Sequence, residues 1–382
     1  MRKLAIIGAS YLQAPLIEKA KKMNLETHVF AWAANDVGEK IADYFYPISI
    51  VEKDKIAQKC EEIGIDGICT IASDLAVVTV NYVAEQLGLN ANSLECTRLS
   101  TNKHAMRIAF EKNGDPSPKS RVVESVLDID KNQLRYPLIV KPLDRSGSRG
   151  ITKVTTWDQL VEAIDIAKQE GFEKKALIEE FVSGKEYSVE TISWEGRHHF
   201  LAITEKFTTG HPHFIETGHV EPAMLNDEMT EKIKKVVHHA LDSLMVTMGA
   251  SHSELKIDDY GNIWLIEIGG RMGGDYIGSH LVDMSTGIDY IENVIHIALG
   301  KEPNFVRRHL PYAAAVRFVL NQEDIDVLHR IQMEHPEYLQ IVNVKENMNG
   351  EVTDSSTRLG VYVMKAPERE LLREYLPKEG VE

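Results

Sequence analysis

The chain opens on an apolar run, Lys3 to Ile7, turns at Gly8 into a helical pattern from Leu16 to Met23, and returns as a second strand pattern, Glu26 to Trp32. Strand, glycine turn, amphipathic helix and strand make a βαβ unit, which demands a parallel sheet with helices packed on its faces. Further strand candidates such as Gly67 to Ile71 alternate with helical patterns such as Leu75 to Leu87. Residues 1–98 are therefore expected to form a small doubly wound α/β domain. The turn Gly8-Ala9-Ser10 lacks the remaining glycines of a dinucleotide fingerprint and is read as a tight turn in a scaffold.

A chain of 382 residues exceeds one ordinary core, so two or three domains are expected. A helical stretch from Thr101 to Asn113 stops at Gly114, and Asp115-Pro116-Ser117-Pro118 can only run extended, which marks a domain entrance. From Leu138 to Val189 strands alternate with one clear helix, Trp157 to Gln169, and a long amphipathic helix follows from Asp227 to Met248. A strand pair then surrounds the turn Asp258-Asp259-Tyr260-Gly261-Asn262. After Gly300 a strand (Tyr312 to Leu320), a helix (Glu323 to Glu334) and a closing strand (Leu359 to Met364) read as a smaller third unit. The expected boundaries are 1–98, 99–305 with a lid at about 116–188, and 306–382 as a C-terminal α+β domain.

A formal charge of -15 argues against a phosphate backbone as the main partner, since that affinity comes from clustered Lys and Arg. Any phosphate site must be local. Cys60, Cys69 and Cys96 are odd in number and form no C-x-x-C pair, so they are read as reduced core thiols of a cytoplasmic protein. No apolar run approaches a signal core or a membrane span, and neither export nor membrane insertion is expected.

Leu138-Ile139-Val140-Lys141-Pro142 is a buried-strand pattern ending in lysine, followed at once by Asp144-Arg145-Ser146-Gly147-Ser148-Arg149-Gly150. Backbone N–H groups of such a Gly/Ser loop, with a point charge from the strand, suit phosphate oxygens; the alternative is a solvated hairpin tip. Next, Ala176-Leu177-Ile178-Glu179-Glu180-Phe181-Val182 runs into Ser183-Gly184-Lys185-Glu186. Adenine needs an apolar slot beside a strand edge and a ribose needs a carboxylate, though alone this is an ordinary hairpin with exposed glutamates. Glu254 and Glu267 sit nearly symmetrically about Tyr260, so an antiparallel hairpin would set two carboxylates on one face. Such a pair calls for a cation, either a hard oxygen-seeking Mg²⁺ or Arg271 in an internal ion pair with Glu267. His211-Pro212-His213 and His238-His239 lack a zinc spacing, and neither a G-x-S-x-G turn nor a Walker A loop is present.

In order, Asn102-Lys103, Lys141, the Gly/Ser loop, Ile178-Glu179 to Glu186, and Glu254 with Glu267 and Arg271 resemble the ATP-grasp superfamily over nearly the whole chain. The similarity is to the branch holding carbamoyl-phosphate synthase halves, biotin carboxylase, purine-pathway carboxylate ligases and L-amino-acid ligases. The resemblance implies an ATP-grasp fold: an N-terminal doubly wound α/β domain, a two-lobed nucleotide-binding core and a small C-terminal domain. It implies ATP held by Lys103 and Lys141 at the phosphates under a flap at Gly147 and Ser148. Glu179, Phe181 and Val182 would line the adenine hinge and Glu186 the ribose. Glu254 and Glu267 would hold Mg²⁺, with Mn²⁺ able to replace it, and Arg271 and Lys141 would be catalytic. One departure stands out: the family shows E-x-N-P-R, whereas Ile268-Gly269-Gly270 removes the Asn that usually serves a second metal.

Lys206-Phe207-Thr208-Thr209-Gly210 and Phe214 to Ala223 look like the substrate side of amino-acid ligases. Glu216 would meet an amine and Arg271 or Arg317 a carboxylate. The leading expectation is an ATP-dependent carboxylate–amine ligase acting on small molecules through an acyl-phosphate with release of ADP, an amino-acid ligase being one form. The alternatives are a bicarbonate-activating carboxylase, a carbamoyl-phosphate-synthase-like enzyme, or a catalytically silent nucleotide-binding regulator. The last is disfavoured by the joint presence of Glu254, Glu267 and Arg271. A homodimer is expected from the family alone.

Overall fold

A computed structural model of the chain describes residues 1–144, 150–211, 214–345, 350–378 and 380. β1 (Lys3–Ile7), β2 (Glu26–Phe30), β3 (Tyr44–Tyr46) and β4 (Gly67–Cys69) form a parallel sheet in the order β3-β2-β1-β4. Leu4, Ile6 and Ile7 are wholly buried with Leu16 and Ile17 of the helix Ala14–Lys22. The three cysteines are free and buried, and burial pushes each thiol up to about 12, which keeps them protonated and unreactive.

β5 (Ser120–Val123), β6 (Leu138–Pro142), β7 (Thr152–Val154) and β8 (Ala176–Glu180) make an antiparallel sheet in the order β5-β8-β6-β7, inside the stretch read as a lid. Leu138, Val140 and Ile178 pack on Leu160 and Ile164 of the helix Trp157–Glu170. Strand alternation therefore turns Ile139, Lys141 and Glu179 to the other face.

The remaining strands are β9 (Lys185–Trp194), β10 (Arg197–Thr208), β11 (Glu216–Glu221), β12 (Gly249–Ile257), β13 (Ile263–Gly269), β14 (Ala313–Val319), β15 (Leu339–Val344) and β16 (Gly360–Ala366). They form one eight-stranded antiparallel sheet in the order β13-β12-β9-β10-β11-β14-β16-β15. The stretch from 306, read as a third unit, thus adds three strands to the core sheet, joined where Gly218 pairs with Arg317 and Glu221 with Ala314. Periodicity reveals a strand but not its partner, so this continuity is invisible in the sequence. The helix expected to reach Met248 ends at Ser243, beyond which Met245 takes a φ of +60°.

The two faces of this sheet differ. Val189, Ile203, Leu255 and Leu265 bury against Phe110 of the helix Lys103–Asn113 and against Ile233 and Val237 of the helix Asp227–Ser243. Each such side chain contributes about 1.5–3 kcal/mol of burial. On the opposite face Ile192, Ala202 and Ala250 pack into the core shared with the N-terminal sheet and the helix Tyr290–Ala298. Two and four residues further along those same strands the side chains become Glu190, Thr204, Lys206, His252 and Glu254. Among the described residues no helix is long and apolar enough to cross a membrane.

Candidate active site

The lid lysine does not stand alone. Lys141 Nζ lies 2.5 Å from Glu179 Oε2, and Arg107 Nε donates to Glu179 Oε1 at 2.8 Å, all three side chains being nearly inaccessible. Burial pushes Lys141 below the ordinary lysine value, because the single Glu179 carboxylate is shared with Arg107 and Lys103 also lies near. Glu179 resists the rise that burial imposes because Arg107 and Lys141 hold it below the carboxylate range. Glu179, expected at the adenine hinge, borders the same cleft as Phe181 and Val182 but spends both its oxygens on Lys141 and Arg107. The Phe181 ring takes the Lys153 ammonium 3.8 Å from its centroid. Gly147 and Ser148 lie outside the described residues.

Opposite the lid, Glu254 and Glu267 are cross-strand partners on β12 and β13, as their spacing about Tyr260 implied, with a bulge just after Glu254. Lys103, buried at the start of its helix, donates to Glu267 Oε1 at 2.5 Å. Lys206 Nζ sits 2.8 Å from Glu186, 2.8 Å from Glu216 and 2.7 Å from Glu254. Burial opposes the Lys206 charge, but these three carboxylates prevail and hold it well above the usual lysine range. His252 binds Glu190 through Nδ1 and Glu254 Oε1 through Nε2 at 3.2 Å. Burial works against its charge, and Glu190 overcomes it, pushing the imidazole up to about 9. The hydrogen bonds described for Glu254 and Glu267 all fall on Oε1. Two facing carboxylates, each with Oε2 in hand, fit a hard divalent cation.

Arg271 and Glu267 do not form the internal pair considered from sequence. Arg271 instead donates from Nε and Nη2 to the two oxygens of Asp74, each at 2.9 Å. Lys103, Lys141, Glu186, Glu254, Glu267 and Arg271 border one cleft between the four-stranded sheet of β5 to β8 and the eight-stranded sheet.

A second cavity, about 600 Å³, adjoins it and shares Asp74, Glu216, His252, Glu254 and Arg271 as a common wall. That volume is in the range of small-molecule sites. Its far side is built from Ser10 and Tyr11 of the N-terminal turn, Tyr276, and Phe318, Lys345 and Arg358 of the tail. The turn read as scaffold therefore borders a cavity. Arg358 donates to Asp275 at 2.7 Å and to Glu216 at 3.1 Å while its guanidinium lies 3.6 Å over the Phe318 ring centre. Burial pushes Asp275 up to about 6. His219, fully buried, has no hydrogen-bond partner at either ring nitrogen, and burial drives it down to about 3, so it is neutral. Held that low, the imidazole stays neutral in the wall and packs edge-on against the Phe318 ring.

Arg317 does not join this wall. Its Nε and Nη2 donate to Asp324 at 2.9 and 2.8 Å, and its Nη1 to the carbonyls of Tyr375 and Leu376. It is a buried clamp of the tail, because neighbouring positions on β14 face opposite sides and Val316 is the partner of His219. The arginine that reaches Glu216 is Arg358. Sequence reasoning placed Lys206 and His219 only within a substrate-side stretch and missed His252 and Asp74; the nearest signal was polar residues at alternate positions of otherwise apolar strands.

Residues 134–279 match the family described as the ATP-grasp domain, a stretch holding Lys141, Glu186, Glu254, Glu267 and Arg271. The alanine–anticapsin ligase of Bacillus subtilis (strain 168) is 27% identical over 274 residues, which is 63% of this chain and 58% of that protein. The chain thus matches less than two thirds of that relative's length. The solved L-amino acid ligase of Bacillus licheniformis has a TM-score of 0.83 at 24% identity, covering 98% of this chain and 96% of that one. The N5-carboxyaminoimidazole synthetase of Staphylococcus aureus solved with ADP gives 0.78 at 18% identity, over 98% and 95%. The ATP-grasp domain match thus lies on β6 to β8 and on the strands that carry both facing glutamates, and the likeness of fold to these solved ligases and synthetases runs the length of the chain.

Proposed function

We propose that the chain is an ATP-dependent, ADP-forming carboxylate–amine ligase whose substrates include an amino acid. The observation that carries this reading is the shared wall. The cleft lined by Lys103, Lys141 and the two facing glutamates and a second polar cavity meet at Glu254, Glu216 and Arg271, which is what a transfer between ATP and a second molecule needs. The matched relatives named as ligases support it.

In this reading Lys103 and Lys141 bind phosphate oxygens, Phe181 and Val182 border adenine, and Glu186 takes the ribose. Glu254 and Glu267 would hold Mg²⁺ through their outward oxygens, and the ion would neutralise charge on the phosphates. Arg271 stabilises charge developing on the acyl-phosphate. Glu216 orients the amine, Arg358 takes the place first given to Arg317 in meeting a carboxylate, and the proton the amine loses leaves with the departing phosphate. The shared wall lets the amine arrive without admitting bulk water, which would hydrolyse the acyl-phosphate.

The test is a screen of amino acids, singly and in pairs, and of bicarbonate, for stimulation of ADP release. Stimulation by a pair is expected. Release driven by bicarbonate alone would move the assignment to the carboxylase-type alternative.

A further inference from the structure

Arg271 approaches the common wall from the end of β13, yet its fork is not held by that strand. Asp74, the first residue of the helix Asp74–Leu87 in the N-terminal domain, accepts from Nε on one oxygen and from Nη2 on the other, both at 2.9 Å. A bidentate pair fixes the plane of a guanidinium as well as its place. The same N-terminal loop makes a second latch on the segment, where Ala72 N donates to Met272 O at 3.2 Å. Ala72 takes a φ of +59° to do so, a conformation that costs a non-glycine residue about 1 kcal/mol and so requires compensation from its surroundings.

Gly269 explains the sequence departure noted above. A Cβ at this position would lie 2.8 Å from Asp74 Oδ1 and 3.2 Å from Arg271 Nε. No side chain fits there while the pair is formed, and φ at Gly269 is not in the left-handed region, so space and not backbone freedom selects the glycine. The Asp74 carboxylate stands where a side chain at 269 would begin.

We infer that Asp74 is a positioning residue acting through Arg271, so that the N-terminal domain completes the reacting site, and that Gly269 is small to admit the pair. The inference rests on the ligase reading of Arg271. A merely structural ion pair would alter stability alone, whereas a positioning pair couples the two residues in turnover.

The experiment compares ADP release by the wild type, Asp74→Ala, Asp74→Asn, Arg271→Ala, Gly269→Ala and the Asp74→Ala/Arg271→Ala double variant, with melting curves to confirm folding. Asp74→Ala should lower kcat about 10- to 100-fold with KM for ATP changed less than about threefold, Gly269→Ala should do likewise, and Asp74→Asn should fall between. The double variant should lie within about threefold of Arg271→Ala. Wild-type kcat in folded Asp74→Ala, or a double variant reduced by the product of the single factors, would overturn the inference. A wild type that releases no ADP with any substrate would instead refute the ligase reading. The pair is then judged by NMR exchange of the Arg271 Nε–H, assigned with Arg271→Lys: protection lost in Asp74→Ala supports it, and unchanged protection overturns it.

Discussion

Glu254 and Glu267 face each other across the β12–β13 ladder, and each is met by a different buried lysine, Lys206 on one side and Lys103 on the other. Two like charges at cross-strand positions would repel, so the lysines compensate them, and both carboxylates border the cleft.

Glu267→Gln keeps the shape of the side chain and removes its charge. It should lower kcat about 100-fold or more and raise the Mg²⁺ concentration for half-maximal rate at least about fivefold, with a smaller change in KM for ATP. Steady-state kinetics across a Mg²⁺ series, and Mn²⁺ binding followed by EPR, provide the measurement. Unchanged turnover and metal demand would make Glu267 only the partner of Lys103.

Lys141→Ala should weaken ATP binding and turnover together, because a phosphate contact is present in both the ground and the transition state. A fall in kcat/KM for ATP of about 100-fold is expected. The variant should still fold, since Glu179 keeps Arg107 at 2.8 Å. A melting curve and ATP titration separate the two effects.

The fold's α/β opening and the facing glutamates were legible because they depend on short-range pattern: the βαβ alternation, and equal spacing of Glu254 and Glu267 about a polar turn. Lys141 was legible as a strand lysine, but its pairing with Glu179 was not, since it needs the β6–β8 register. Lys206, His219, Asp74 and Arg358 were not legible as a group. They come from four segments that only the eight-stranded sheet and the N-terminal domain bring together. Arg317 was named from sequence for a substrate carboxylate, but the alternation of its strand turns it inward to Asp324.

Arg317→Met should leave Asp324 buried without its cation and destabilise the protein by about 3 kcal/mol, while KM values of the folded enzyme stay within about twofold. Arg358→Met should raise KM for a carboxylate-bearing substrate about tenfold or more. Urea unfolding and substrate titration of the two variants check this contrast. Equal substrate defects in both would restore Arg317 to the site.

Glu221 is fully buried between the hydroxyls of Thr204 (2.6 Å) and Ser285 (2.7 Å), and burial pushes it from 4.5 up to about 8. Below pH 4.5 the folded and unfolded states both hold the proton, and its stabilisation is fully present. As pH rises from there to 8 only the unfolded state ionises, so stability is lost across that window, on the order of 5 kcal/mol. Glu221→Gln should match the wild type at pH 4.5 and exceed it at pH 8.5. Urea midpoints of both proteins at the two pH values give the answer; a wild type that gains on the variant with rising pH contradicts the sign.

The central claim is that a carboxylate is phosphorylated by ATP before the amine attacks. The direct measurement supplies the carboxylate substrate labelled with ¹⁸O in both oxygens, together with ATP, Mg²⁺ and the amine, and follows phosphate, nucleotide and amide by mass spectrometry. ADP and one ¹⁸O in each inorganic phosphate are expected for every amide formed. Label found in AMP, with pyrophosphate released, would contradict it.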